Sequence, residues 1–282
     1  MKKILLFGST GFIGSHLKQT FLNAGYSIAD PRVEIRNLDD VRRAFEDAKP
    51  DIVVNATGRT GKPNVDWCET HAAETFSVNV GGSLNIATIA DEKKVYMVQL
   101  ASGCIYDGYP KDGYHEDDPP NYFGSVYSRS RIVSEMALKE FPNVLQLRIR
   151  IPLLGKPNPK NLIDKLVKYP RLINFMNSCT VIEDFLPAVL QLIEKHATGV
   201  LNMTNPGAMD HVGIMTLYQQ IVDPSFKINL MGEAEQTKLC ERRSNCFLNV
   251  DKRQKELGVH MPPLEESLKR ILKEYKKAAS KI

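Results

Sequence analysis

The sequence predicts an α/β protein, a doubly wound parallel sheet followed by a smaller, mostly helical C-terminal lobe. Three observations predict it. Short continuous apolar runs such as "KILLFG" and "DIVVNATG" alternate with helix-patterned segments through residue 150, glycines cluster directly after the first run, and the alternation lapses after Pro152. Runs of this kind suit strands buried on both faces, and strands joined through helices make a right-handed parallel sheet.

Taken in order, "KILLFG" is the first strand, and "FIGSHLKQTFLNAG" is a helix of apolar residues at helical spacing that stops at Gly25. "YSIAD" is a second strand, "NLDDVRRAFEDAKP" a helix opened by a capping Asn or Asp, and "DIVVNATG" a third strand. "HAAETFSVNVGGSLNIATIADEK" reads as one long helix made imperfect by Gly81 and Gly82. "VYMVQLASG" is a strand, "SVYSRSRIVSEMALKEF" a helix, and "NVLQLRIRIPLLG" strand-like. Beyond Pro152, "GKPNPKNLIDKLVKYP" is a loop leading into a helix, "VIEDFLPAVLQLIEKHATG" a helix, and "VLNMTNPG" a strand ending in a turn.

Composition narrows the function classes. In 282 residues, 43% hydrophobic content is ample for a core and 25% charge is ordinary for a soluble protein. A net charge of +4 suits anionic small molecules, whereas nucleic acid would require a concentrated basic stripe. The one basic cluster is the tail "KRILKEYKKAASKI", which reads as a solvated terminal helix. The five cysteines form no C-x-x-C and no zinc spacing, and neither His71 nor His211 has ligand-type neighbours, so no metal is expected. Their odd number in a long chain points to reduced thiols and a cytoplasmic location. The apolar run near the N-terminus is too short for a signal peptide, and no segment reaches membrane-span length.

"GSTGFIG" places Gly8, Gly11 and Gly14 between the first strand and the first helix. Glycines there let backbone approach a pyrophosphate, whose charge the helix N-terminus favours, so the sheet is expected to be Rossmann-like. The G-x-x-G-x-x-G spacing resembles the extended short-chain dehydrogenase/reductase superfamily. Asp30 lies 22 residues after Gly8, where an acid would hold the ribose 2′-OH of NAD, yet Arg32 beside it would clamp the 2′-phosphate of NADP. The two cues conflict. The cofactor-contacting set is Gly8, Thr10, Gly11, Phe12, Gly14, Arg32, Ala56 and Gly58. The expected organisation is a dinucleotide-binding domain over 1–150, to which 178–205 returns, and a substrate-binding lobe of 151–177 and 206–282.

"YSRSR" puts Tyr127 four residues ahead of Arg131 on one helix face. In a carbonyl reduction Tyr127 would protonate the oxygen, Ser102 of "ASGCIYD" would hydrogen-bond it, and a nearby cation would favour the phenolate. Glu135, one turn further along, offers Arg131 an alternative as a surface ion pair. Strand alternation places Cys104 on the same side as Ser102, although Gly103 weakens that assumption. A thiol beside a polarised carbonyl can exchange protons at the adjacent carbons; its plain alternative is a small buried side chain.

The stretch "GRTGKPNVDWCETH", residues 58–71, is specific. With "ASGCIYD", "YSRSR", "LRIRIP", "NPKNLIDKL", "NMTNPG" and "RRSN", it resembles the nucleotide-rhamnose synthase/epimerase-reductase family. These are bifunctional 3,5-epimerase/4-reductases related to dTDP-4-dehydrorhamnose reductases. The likeness runs from Gly8 to about Leu248. It implies inversion of C3 and C5 and reduction of C4 in a nucleoside-diphosphate 4-keto-6-deoxyglucose, giving UDP- or dTDP-L-rhamnose. NADPH is favoured mainly on this resemblance, and NADH is also allowed. The resemblance makes Ser102 and Tyr127 the reductive pair, Cys104 the epimerase cysteine and Lys165 its partner. It turns Asn64, Asp66, Trp67, Asn161 and Arg243 toward the nucleotide sugar, with Asn205 nearby. Trp67 has the alternative of a packing anchor, and Arg243 that of a surface ion pair. The chain departs from the family at one point: arginine stands where the Tyr-x-x-x-Lys lysine belongs. That keeps open a non-catalytic dinucleotide-binding regulatory subunit; the other alternative, a 4-keto-sugar reductase alone, is opposed by Cys104 and Lys165. A homodimer is compatible with the sequence, which does not fix the oligomeric state.

Overall fold

The computed structural model describes residues 1–62 and 64–280. Pro63 of "GRTGKPNVDWCETH" and the last two residues of the basic tail lie outside the described residues.

The chain opens with β1 (Lys3–Phe7), α1 (Phe12–Asn23), β2 (Ser27–Ala29), α2 (Leu38–Ala48) and β3 (Ile52–Asn55). Next come α3 (Trp67–Thr70), α4 (Ala72–Phe76), α5 (Ser83–Glu92), β4 (Tyr96–Ser102), α6 (Val126–Leu138) and β5 (Val144–Ile149). The remainder is β6 (Pro152–Leu153), α7 (Leu162–Lys168), β7 (Thr180–Val181), α8 (Ile182–Glu194), β8 (Gly199–Asn202), α9 (His211–Ile221), α10 (Glu233–Cys240) and α11 (Leu264–Ala279).

Six strands form one sheet in the order β2-β1-β3-β4-β5-β8. β1 pairs in parallel with β2 and β3, and β3 with β4, so Leu5 lies between Ala29 and Val53. The fold is the expected Rossmann-like α/β sheet. Strand order reverses at β1, with β2 on one side and β3 on the other. Open α/β sheets bind ligands at such a switch point, outside the carboxyl ends of the strands.

Local chemistry sets the elements. Asn37 caps α2, its Oδ1 accepting from the N–H of Asp39 at 2.9 Å, and Asp39 and Asp40 suit the positive end of the helix dipole. Val41, Ala44 and Phe45 then bury one face against Leu5, Phe7, Val53 and Met97. The predicted long helix is a continuous run of α4, a π-helical turn at Ser77–Gly82, and α5. The short α3 was not expected. "NVLQLRIRIPLLG" is not one strand but two: Ile151 takes φ +41°, which ends β5, and β6 pairs in parallel with β7.

Two compact units result, residues 1–105, 120–148 and 190–201, and residues 106–119, 149–189 and 202–282. The second has its own core, in which Leu153, Ile163, Leu166, Ile214, Leu268 and Ile271 are buried. Among the described residues no helix is long and apolar enough to cross a membrane, no His/Cys/Asp/Glu group could hold a metal, and all five cysteines are free.

Candidate active site

The glycine loop after β1 is a tight cradle. Gly8 takes φ +83°, and a Cβ on it would lie 2.7 Å from the carbonyl carbon of Ala56. A Cβ on Gly14 would collide with the carbonyl oxygen of Gly8, which accepts from the N–H of Gly11 at 2.9 Å. Only bare backbone permits this approach of the loops after β1 and β3. α1 starts at Phe12 with Gly11 as its cap and no capping side chain, so its first amides have no side-chain acceptor. Such a cradle fits a dinucleotide pyrophosphate, with Gly8, Thr10, Gly11, Phe12 and Gly14 on one side and Ala56 and Gly58 on the other.

At the end of β2, the Asp30 carboxylate accepts from Lys18 Nζ at 2.8 Å. The Lys18 ammonium, helped by the Ser9 hydroxyl, holds the Asp30 carboxyl below the usual carboxylate range. Arg32 is exposed and lines a cavity of about 700 Å³ with Asp30 and Arg43.

α6 carries the tyrosine and the arginine. Ser125 caps it, its Oγ accepting from the N–H of Ser128 at 3.1 Å. Tyr127 is half-buried, and Arg131 is only 8% exposed, with its Cζ 5.4 Å from the Tyr127 ring centroid. The helical spacing thus brings the pair together. Arg131 Nη2 rests against the backbone of Gly58, where a Cβ would collide with it. Its Nε is buried without a hydrogen-bond partner. Arg131 does not pair with Glu135. That carboxylate accepts from Arg148 Nε and Nη2 at 2.7 and 2.6 Å, because Arg148 is fully buried on β5 and requires an anion.

Two residues missed in the sequence hold this assembly. Asn79, fully buried in the π-helical turn, grips both backbone groups of Arg59: its Oδ1 accepts from the N–H at 2.7 Å and its Nδ2 donates to the carbonyl at 3.1 Å. The same Nδ2 donates to Ser130 Oγ at 3.0 Å, which in turn donates to the Tyr127 carbonyl at 2.7 Å. π-turns often mark functional sites, and the only sequence signal was the glycine pair inside a helical pattern. The second is Glu69, whose carboxylate accepts from the N–H of Val126, the first residue of α6, at 2.8 Å. The "WCE" of the specific stretch therefore braces the helix of Tyr127. Cys68 is buried there, and burial pushes its thiol pKa up.

Trp67 stacks on His71 at 3.8 Å between centroids, with the Arg59 guanidinium 5.6 Å from its ring. Gly61, at φ +72°, leaves no room for a Cβ beside the Trp67 side chain. The packing-anchor alternative for Trp67 has direct contacts behind it. Asn64 Oδ1 accepts from the N–H of Asp66 at 2.8 Å, closing a turn in the same exposed loop.

Ser102 ends β4 at 5% exposure, and its Oγ accepts from the N–H of Cys104 at 3.1 Å. Cys104 therefore sits in a turn, half-buried, and the strand-alternation argument does not reach it. What links the two residues is this hydrogen bond.

In the second unit, Lys165 on α7 is half-buried, and desolvation lowers its ammonium pKa. Asn161, expected to face the sugar, is fully buried and ties its own loop: its Oδ1 accepts from the N–H of Leu154 and its Nδ2 donates to the carbonyls of Leu154 and Lys156. Asn205 is similarly engaged by Val181, Asp184 and Ser267. Arg243 is half-buried after α10 and donates to the carbonyl of Arg242. "LRIRIP" and "RRSN" meet where Arg150 Nη1 donates to Ser244 Oγ at 2.9 Å.

The family model for the RmlD substrate binding domain matches residues 1–277. The chain belongs to this family. It is 35% identical to an Arabidopsis thaliana protein named bifunctional dTDP-4-dehydrorhamnose 3,5-epimerase/dTDP-4-dehydrorhamnose reductase, with 98% of this chain and 95% of that protein covered. The crystal structure of the L780 UDP-rhamnose synthase from Acanthamoeba polyphaga mimivirus superposes with a TM-score of 0.92 at 29% identity, covering 97% of this chain and 99% of that one. A dTDP-4-dehydrorhamnose reductase from Bacillus anthracis, solved with NADP, shares the fold at a TM-score of 0.83 and 19% identity, with 96% and 98% covered. Membership in the RmlD family, with relatives named as reductases and epimerase/reductases, places the chain among the oxidoreductases.

Proposed function

We propose that this protein converts a nucleoside-diphosphate 4-keto-6-deoxyglucose into nucleotide-L-rhamnose in the cytoplasm, epimerising C3 and C5 and reducing C4 with NADPH. The observation that carries the reading is the seat of Arg131. A buried guanidinium over Tyr127 and against Gly58, with no carboxylate in ion-pair reach among the described residues, is charge held ready for a ligand.

Bound NADPH supplies hydride to the carbonyl carbon. Tyr127 passes its phenolic proton to the carbonyl oxygen as negative charge grows there. Ser102 Oγ accepts from the N–H of Cys104, so its own O–H proton is available to donate to that oxygen. Arg131 then stabilises the phenolate left on Tyr127. Before reduction, the same carbonyl acidifies the protons at C3 and C5. Cys104 and Lys165 exchange them, and desolvation, which lowers the Lys165 pKa, makes its ammonium a readier proton donor. The name of the Arabidopsis relative supports the double activity. Asn64, Asp66 and Arg243 are the proposed contacts to sugar and diphosphate.

The test is incubation with a nucleoside-diphosphate 4-keto-6-deoxyglucose in D₂O, with and without NADPH. Deuterium at C3 and C5 without NADPH reports epimerisation, and loss of NADPH absorbance reports reduction. Reduction without deuterium uptake would leave a reductase alone; neither, with NADPH still bound, would contradict the enzyme reading.

A further inference from the structure

Lys18 stands on α1, and its Nζ lies 2.8 Å from Asp30 Oδ2 at the end of β2. The two side chains are 40% and 29% exposed, so both face water beside the cradle of Gly8, Gly11 and Gly14. An acid at this position ordinarily accepts from the ribose 2′-OH of NADH and repels the 2′-phosphate of NADPH. Here the acid carries a counter-charge. Ser9, the residue after Gly8, adds to the effect of Lys18 in holding the Asp30 carboxyl below its usual range. The neighbouring arginines are not all available: Arg36 pairs with Glu34 and Arg43 with Asp40. Arg32 has no ion pair among the described residues. Lys18, Asp30 and Arg32 together therefore carry two positive charges and one negative, a net charge of +1, where Asp30 and Arg32 alone would cancel.

We propose that Lys18 is the cofactor-specificity residue: by offsetting the charge of Asp30 it admits the 2′-phosphate of NADPH beside an acid that would otherwise select NADH. This resolves the conflict between Asp30 and Arg32. Asp30 remains able to accept from a 2′-OH, so NADH still binds, and Arg32 is left to meet the phosphate. The effect is electrostatic over a few ångströms and partly solvated, so it weakens as salt is added. The inference rests on dinucleotide binding but not on the chemistry at the sugar.

Binding alone tests it. NADPH and NADH are titrated by nicotinamide fluorescence into the wild-type protein, K18M, D30N and K18M/D30N. K18M is expected to weaken NADPH about tenfold and NADH by less than about twofold, and adding D30N is expected to restore NADPH to within about threefold of wild type. Equal weakening of both cofactors, no loss of NADPH, or a double variant as weak as K18M would each overturn it. The last result would mean that Lys18 holds the phosphate directly and does not act through Asp30. A wild-type protein that binds neither cofactor overturns the dinucleotide reading itself, and this inference with it.

Discussion

In α6 the guanidinium of Arg131 lies over the ring of Tyr127, 5.4 Å from its centroid, with its outer nitrogen against the backbone of Gly58. The cation is thus held by packing, since Glu135, one turn along the same helix, is taken by Arg148. Arg131→Lys keeps the charge and is expected to hold or raise the rate of reduction. Arg131→Met removes it and is expected to lower kcat about 100-fold. Steady-state NADPH oxidation checks both. A large loss in Arg131→Lys would show that the planar fork makes contacts a point charge cannot replace.

Gly58 should matter through Arg131. Gly58→Ala puts a methyl where Nη2 rests, and the flexible end of the arginine can move aside. The expected result is about a tenfold loss of kcat with a melting temperature within about 2 °C of wild type. A fall in melting temperature that matches the loss of activity would make Gly58 only a folding residue.

The sheet, the glycine cradle and the Tyr127–Arg131 face were legible because each depends on residues near in sequence. Apolar runs, glycine between strand and helix, and an i,i+4 spacing are all local signals. What stayed hidden depends on distant partners. Nothing local says that Glu135 belongs to Arg148, that Asn79 reaches back to Arg59, or that Lys18 reaches Asp30. Cys104 misled because strand alternation was carried past Ser102, where a turn begins. Asn161 misled because a polar side chain in a specific motif served its own loop.

Glu69 accepts from the first amide of α6, so it acts as a cap supplied from another segment. Glu69→Ala is expected to cost about 1 kcal/mol of stability, and Glu69→Gln, which keeps a carbonyl acceptor, less than half of that. Urea unfolding midpoints at constant slope read the difference. Faster hydrogen exchange at Val126 in Glu69→Ala would locate it.

Burial pushes the His211 imidazole pKa down to about 4, against an effect of Asp210 in the other direction. The unfolded chain therefore binds a proton near pH 6.5 that the folded chain refuses until about pH 4. Stability is complete above the upper value and is lost as pH falls through that window. His211→Gln should flatten this limb of the stability–pH profile, measured by urea unfolding across it. An unchanged limb would assign the acid sensitivity to carboxylates instead.

In the proposed hydride-transfer reaction Tyr127 delivers the proton. The most direct measurement is NADPH oxidation with an already epimerised nucleoside-diphosphate 4-keto-L-sugar, comparing wild type with Tyr127→Phe. The expected result is turnover by the wild type and about a 1000-fold lower kcat in Tyr127→Phe, with NADPH affinity unchanged within about twofold. Full turnover by Tyr127→Phe, or NADPH binding without any oxidation by the wild type, would contradict it.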